Sequence, residues 1–413
     1  MKLFGFFARL GVFKRVNGEA IRAKDAFRDI GNGYFRKIGQ YFKTAQIVLF
    51  LLLFLFVTSF VILNSRVVTY ENLYYFFQDF RIAVDNTDSS VDAIPYATDL
   101  NVVFSLYKGG LAVAGSERLQ LLTAAGGINH SASLGFASPG ISASTDLVLV
   151  YARGERDCHI YNSFTKIHEE TLDGSIRTAY LSESGAYSVT TEDEEYESAV
   201  YVYSRNFKKV NKYELNSYVI ASPISEDGKT VAILSYACKD GIYETRVRLA
   251  EVESGDTVCN ASMKDEFPLA ISFVENGGAL LLTEKALYRI DRKGAVTPVT
   301  EWTSQAVGMF CLENGGAVLV FQDDVESEMK TIAVSDEDGA ILRYIDTKDA
   351  VRAVDRLNEY VFYRTDFELV RVSIKTGEEE RILCEQAGGD LLVFSKDTVL
   401  ICKNGETKYY RFS

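Results

Sequence analysis

Glu275-Asn276-Gly277-Gly278-Ala279-Leu280-Leu281-Leu282 and Glu313-Asn314-Gly315-Gly316-Ala317-Val318-Leu319-Val320 are nearly the same eight residues written twice. An Asn-Gly turn leads into a strand that is apolar at every position. Asn-Gly suits a tight hairpin because glycine tolerates positive φ. A strand apolar on both sides has to be covered on both sides. The element recurs to either side of this pair. It stands at Tyr107–Val113, Ser144–Val150, Ser184–Val189 and Glu226–Leu234, with weaker copies at Leu357–Phe362 and Lys396–Ile401. With Gly110, Asp146, Gly185, Gly228, Gly278, Gly316, Glu359 and Asp397 as markers, the spacings are 36, 39, 43, 50, 38, 43 and 38. A period near forty residues, with room for about four short strands, is that of a β-propeller blade.

The expected fold is therefore all-β: a propeller of about eight four-stranded blades, with the apolar strand second in each. Seven blades is the alternative if the first or last unit is irregular. Eight evenly spaced units exceed what one β-sandwich uses. The last unit, Asp390–Ser413, has room for three strands only. An open ring would leave an unpaired edge. A strand from within Val67–Val84 is expected to close it.

Upstream of the repeats the chain changes character. Ala45–Leu63 (AQIVLFLLLFLFVTSFVIL) carries no charge. As a helix it would reach about 28 Å, close to the hydrocarbon thickness of a bilayer. Residues 1–44 hold ten Lys or Arg and three acids, a net +7, and the remainder carries −20. Basic flanks stay on the cytoplasmic side. The tail is expected inside and the propeller outside. A 44-residue leader and the absence of an A-x-A site after the apolar run favour an uncleaved signal anchor. Leu3, Phe6, Phe7, Leu10 and Phe13 alternate with bases, the pattern of a helix lying at a membrane surface. The bases already serve orientation, so no nucleic-acid partner is expected.

The chain thus divides into a basic amphipathic cytoplasmic tail (1–44), a transmembrane helix (45–63), a segment with aromatics, linker and ring-closing strand (64–96), and the propeller (97–413). The third segment contains Tyr70-Glu71-Asn72-Leu73-Tyr74-Tyr75-Phe76-Phe77-Gln78-Asp79-Phe80, followed by a polar stretch at Asp85–Asp92. With one Trp, Trp302, and no Trp-Asp pair, the WD40 signature is absent. The YYFFQD run after the span and the NGG-type repeats resemble a bacterial family of single-pass, membrane-anchored β-propeller proteins of unknown function. The resemblance implies a location and a WD40-like or quinoprotein-like ring, and no activity.

Motifs for chemistry are scarce. The six cysteines are spaced irregularly without a CxxC; their even number permits disulfides, and mostly free, buried thiols are expected. The three histidines lack metal-ligand spacing. Cys158-His159 are adjacent in a strand, so their side chains point to opposite faces. Nothing resembles GxSxG. No catalytic residue, cofactor or metal is assigned, and the chain is read as a non-enzyme. Two acidic clusters stand out: Glu192, Asp193, Glu194, Glu195 and Glu197, and Asp323, Asp324, Glu326 and Glu328. Both are placed in turns between second and third strands, on the face shared with the links between blades. They suit a basic partner or Ca²⁺, and otherwise serve as solvated turns.

The reading that follows is a membrane-tethered, extracytoplasmic interaction scaffold in the bacterial cell envelope, with an envelope protein as partner. The alternatives are a ligand sensor relaying through the span, or an envelope hydrolase. A small-molecule or glycan ligand is left open.

Overall fold

The computed structural model describes residues 33–63, 91–274, 277–302, 306–312, 316–322, 329–384 and 388–413. The basic tail to residue 32, the aromatic segment and Val67–Val84 lie outside the described residues, as does Asp323–Glu328. Two compact units are present, Met1–Phe76 and Phe77–Ser413.

In the first unit, helix α1 (Gly33–Leu63) is continuous and begins before the apolar run. Tyr41–Ser59 is long and apolar enough to cross a membrane, and none of it is buried within the protein. The Thr58 hydroxyl is satisfied inside the helix by the Phe54 and Leu55 carbonyls.

The second unit is an eight-bladed propeller. Blade 1 is β2–β5 (Val103–Tyr107, Gly110–Ala114, Arg118–Leu122, Ile128–Ser133) and blade 2 is β6–β9 (Pro139–Ala143, Val148–Ala152, Asp157–Tyr161, Lys166–Thr171). Blade 3 is β10–β13 (Ile176–Leu181, Tyr187–Thr191, Ser198–Tyr203, Lys209–Leu215) and blade 4 is β14–β17 (Tyr218–Ala221, Thr230–Lys239, Ile242–Glu251, Thr257–Lys264). Blade 5 is β18–β21 (Pro268–Phe273, Ala279–Thr283, Ala286–Ile290, Val296–Glu301) and blade 6 is β22–β25 (Ala306–Cys311, Val318–Gln322, Lys330–Ser335, Ile341–Thr347). Blade 7 is β26–β29 (Ala353–Leu357, Tyr360–Arg364, Glu368–Ser373, Glu379–Leu383). Blade 8 combines β30–β32 (Asp390–Ser395, Thr398–Lys403, Glu406–Arg411) with β1 (Ala93–Pro95).

The repeated apolar segment is the second strand of every blade. In β3, β7, β11 and β19 each residue is buried, since neighbouring blades cover both faces. Among the described residues the core is eight clusters, one between each pair of successive blades. The eighth joins Ile94, Leu400, Cys402 and Tyr409 of blade 8 to Leu111, Val113 and Leu122 of blade 1. The ring is therefore closed by packing as well as by pairing.

The marker glycines meet two different demands. Gly277 has φ +73°, the left-handed conformation that an Asn-Gly turn requires. Gly278 is limited by space, because a Cβ there would lie 2.6 Å from the Ile290 carbonyl oxygen of the third strand. Gly110 faces the Leu122 carbonyl in the same way, at 2.0 Å.

The closing strand is not drawn from Val67–Val84. Ala93–Pro95 pairs with β32 in the register Ala93↔Lys408, Ile94↔Thr407 and Pro95↔Glu406. Val67–Val84 is the longer apolar run in sequence, whereas closure needs only three residues with one buried anchor, Ile94. Pro95 fits because this is an outer edge, where a missing N–H is harmless. Tyr96 extends the seam: its N–H donates to the Gly405 carbonyl at 3.0 Å and its hydroxyl lies 3.0 Å from that of Thr407.

This topology fixes two faces. Links between second and third strands, and between successive blades, share one face, the linker face. The remaining turns form the other. Because β1 is antiparallel to β32, the chain enters the ring from the other face, beside Asp92 and Arg411.

Candidate interaction face

The linker face is uneven. Most second strands are five residues long, but β15 and β16 have ten each. β14 ends its pairing at Tyr218↔Tyr236, while β15 and β16 continue to Lys239↔Ile242. The hairpin therefore stands three residues, about 10 Å, beyond the first strand of its blade. Its tip is Asp240-Gly241, with φ +54° and +80°. Both residues are left-handed, as a two-residue primed turn demands.

The two sides of this hairpin differ. Toward blade 5, Tyr236 packs on Phe267 at 5.0 Å and on Tyr218 at 5.6 Å, and Tyr243 meets Phe267 at 5.4 Å. Ile242 is 54% exposed and Tyr243 40%. Toward blade 3, Ser235, Glu244, Arg246 and Arg248 line a groove of about 460 Å³, with Glu214 and Asn216 opposite. Arg246 donates to Glu244 at 2.6 Å and holds that carboxyl below its ordinary range.

The acidic turn Glu192–Glu197 belongs to blade 3 and lies between β11 and β12, as expected. It is not a uniform patch. Asp193 Oδ1 accepts the Glu195 and Tyr196 N–H groups, which lowers its pKa, and Lys212 lies 3.5 Å from Oδ2. Glu192 reaches Arg177 at 3.4 Å. Glu197 accepts from the Tyr218 hydroxyl and raises the pKa of that phenol. Glu194 and Glu195 are exposed, and their carboxylates have no ion pair among the described residues. The structure thus joins the turn to the hairpin through Glu197, Tyr218, Tyr236 and Tyr243. The second cluster, Asp323, Asp324, Glu326 and Glu328, falls outside the described residues.

Local pattern does not reveal the hairpin. Its signal was the spacing of 50 between Gly228 and Gly278, the largest in the series. The extra residues are two strands that run past their neighbours.

None of the six cysteines is in a disulfide. Cys158, Cys259, Cys384 and Cys402 are buried, and Cys238, near the hairpin tip, is exposed. Burial pushes the Cys158 thiol up to about 12. Its neighbour His159 faces away, into the seam between blades 1 and 2, 5.0 Å from the Phe136 ring. Among the described residues no group of three His, Cys, Asp or Glu has the geometry to hold a metal ion.

All three histidines lie in seams of blades 1–3. His130 meets Tyr161 at 5.8 Å, and His168 stacks on Phe207 at 5.1 Å. Burial lowers the pKa of each. The unfolded chain then binds more protons than the native one below the ordinary value of about 6.5. Their contribution is complete above that pH and is lost as pH falls through it toward the lowered native values. The urea midpoint of the propeller is expected to fall between about pH 6.5 and 5.5, above the ordinary carboxylate range. His159→Phe should flatten that dependence. An unchanged slope in this variant would remove the histidine seam as its cause.

A family model for a family of unknown function, DUF5711, matches residues 89–369. The chain belongs to DUF5711. The match begins just ahead of β1 and ends within β28, so for this DUF5711 protein it covers most of the ring. No curated protein matches in sequence. Among solved structures, BamB from Moraxella catarrhalis is 13% identical with a TM-score of 0.51, covering 78% of this chain and 99% of that one. Chaetomium thermophilum Sqt1, bound to the N-terminus of ribosomal protein L10, is 12% identical with a TM-score of 0.54, covering 78% and 100%. The WD40 domain of SCAP from fission yeast is 11% identical with a TM-score of 0.55, covering 78% and 94%. At these identities the likeness is one of fold.

Proposed function

We propose that this DUF5711 protein is a membrane-tethered, extracytoplasmic propeller that holds a protein partner in the bacterial cell envelope, without catalysis of its own. One observation carries the reading: the hairpin of blade 4 lifts exposed Ile242 and Tyr243 above the linker face, the face that also carries the exposed Glu194 and Glu195 of blade 3. Exposed apolar and aromatic side chains on a face that is otherwise polar have the anatomy of a protein contact. The chain enters the ring from the opposite face. The apolar helix supports a tether, and the +7 tail supports an inward N-terminus. Sqt1 offers a parallel at the level of fold, a propeller bound to the terminal segment of another protein.

Cys238 supplies the test. It is exposed, whereas four of the other cysteines are buried. A benzophenone maleimide placed there in the full-length protein, in native membranes, is expected to crosslink one reproducible protein. Glu194→Gln with Glu195→Gln should reduce that yield several-fold, more so at low salt. Crosslinks to lipid or to the same chain alone would overturn the reading.

A further inference from the structure

The outermost strand of each blade has one free edge, where alternate N–H and C=O groups lack a strand partner. Proteins guard such edges with charge, proline or brevity. Here β9, β13, β25 and β29 each carry both basic and acidic residues, β21 has Pro298, and β1 is three residues long and ends at Pro95. Two edges are the least guarded. Ile128–Ser133 of β5 holds neither charge nor proline, and β17 carries a single charge, Lys264, at its last position.

β17 is the longest outer strand, at eight residues. Its phase is fixed because the Asp265 N–H donates to the Tyr243 carbonyl at 2.7 Å, continuing the register Glu244↔Lys264. The backbone groups of Ala261 and Met263 therefore face β16, and those of Asn260, Ser262 and Lys264 face outward. The side chains of these three are exposed, on the same face as Arg246 and Arg248, which lie across from Ser262 and Asn260. That face holds Arg246, Arg248 and Lys264 against Glu244, and Glu214 across the 460 Å³ groove is already paired with Lys212 at 2.7 Å.

We propose that the free edge of β17 receives an added strand from a protein partner, an extended segment with carboxylates at alternate positions. Main-chain hydrogen bonds to Asn260 and Ser262 supply the affinity, and the cationic face selects the acidic side chains. This rests on the reading of the protein as a partner-binding propeller and adds the mode of recognition.

The test uses full-length protein in detergent micelles and a fluorescent ten-residue peptide of alternating threonine and glutamate, with its threonine–lysine counterpart. The acidic peptide should bind at least tenfold more tightly than the basic one and slow amide exchange at Asn260 and Ser262 at least tenfold. Ser262→Pro removes an N–H that lies outside the ladder, so the melting midpoint should hold while binding weakens at least tenfold. Ser262→Lys, which adds a guard without touching the backbone, should also weaken it. Ser131→Pro on β5 should leave it unchanged. Equal binding by the two peptides, protection elsewhere than β17, or full binding by both Ser262 variants would overturn the proposal. If Ser262→Pro keeps the membrane crosslink at Cys238 and substitution of the hairpin tip abolishes it, strand addition falls and the partner-binding reading stands. A peptide bound at β17 in a protein with no crosslink would do the reverse.

Discussion

Deleting Glu406–Ser413 is expected to abolish the cooperative melting of the whole propeller. The deletion removes β32, the third strand of blade 8, and leaves β1 with no partner. It also uncovers the seams on both sides of that blade, since Tyr409 packs toward blade 1 and Phe412 toward blade 7. Each buried side chain of this size contributes about 1.5–3 kcal/mol, against a total domain stability of about 5–15 kcal/mol. The C-terminal residue is itself clamped. The Ser413 N–H and hydroxyl donate to Glu380 at 2.8 and 2.7 Å, and Arg371 donates to the Ser413 carbonyl. A single change at the other end of the seam should act similarly. Ile94→Asp puts an unpaired carboxylate at a fully buried position and should lower the midpoint by about 10 °C or more. Leu100→Asp, at a residue 73% exposed in the neighbouring link, is the control and should melt as the parent does. A truncated protein with unchanged melting would show that the ring does not depend on this seam.

Ile242→Asp with Tyr243→Ser should leave melting within about 2 °C and cut partner capture by at least tenfold. The hairpin tip lies beyond the paired part of β14, so little of the core depends on it. Tyr236 and Phe267 still pack on each other at its base. In a contact centred on the tip, burying two such side chains would supply about 1.5–3 kcal/mol each. Every 1.4 kcal/mol lost is tenfold in affinity. The measurement is crosslinking yield from labelled Cys238, paired with a melting curve for each variant. Retained yield in the double variant would remove the tip from the interface, and a collapsed melt would assign these residues a structural role.

Much of the ring was legible in the chain. The NGG turns, the strands apolar at every position and the forty-residue period all come from one physical demand. A strand covered by two neighbouring blades cannot alternate polar and apolar residues. Local pattern also located the acidic turn Glu192–Glu197 between its strands, and the missing fourth strand of blade 8. It did not identify the closing strand, because three residues with one buried side chain leave no periodic trace. It gave an irregular spacing at blade 4 without its meaning, because strand length relative to a neighbour is a property of pairing.

The sequence by itself determined the repeat, the architecture and the presence of one apolar helix of spanning length, since all three are written in local periodicity. Only the tertiary structure decided which carboxylates of the acidic turn are free, which outer edges are least guarded, and that Tyr218, Tyr236, Tyr243 and Phe267 meet. Those features depend on contacts between residues far apart in the chain. The pairing of Ala93–Pro95 with the C-terminal strand, across the whole domain, is the extreme case.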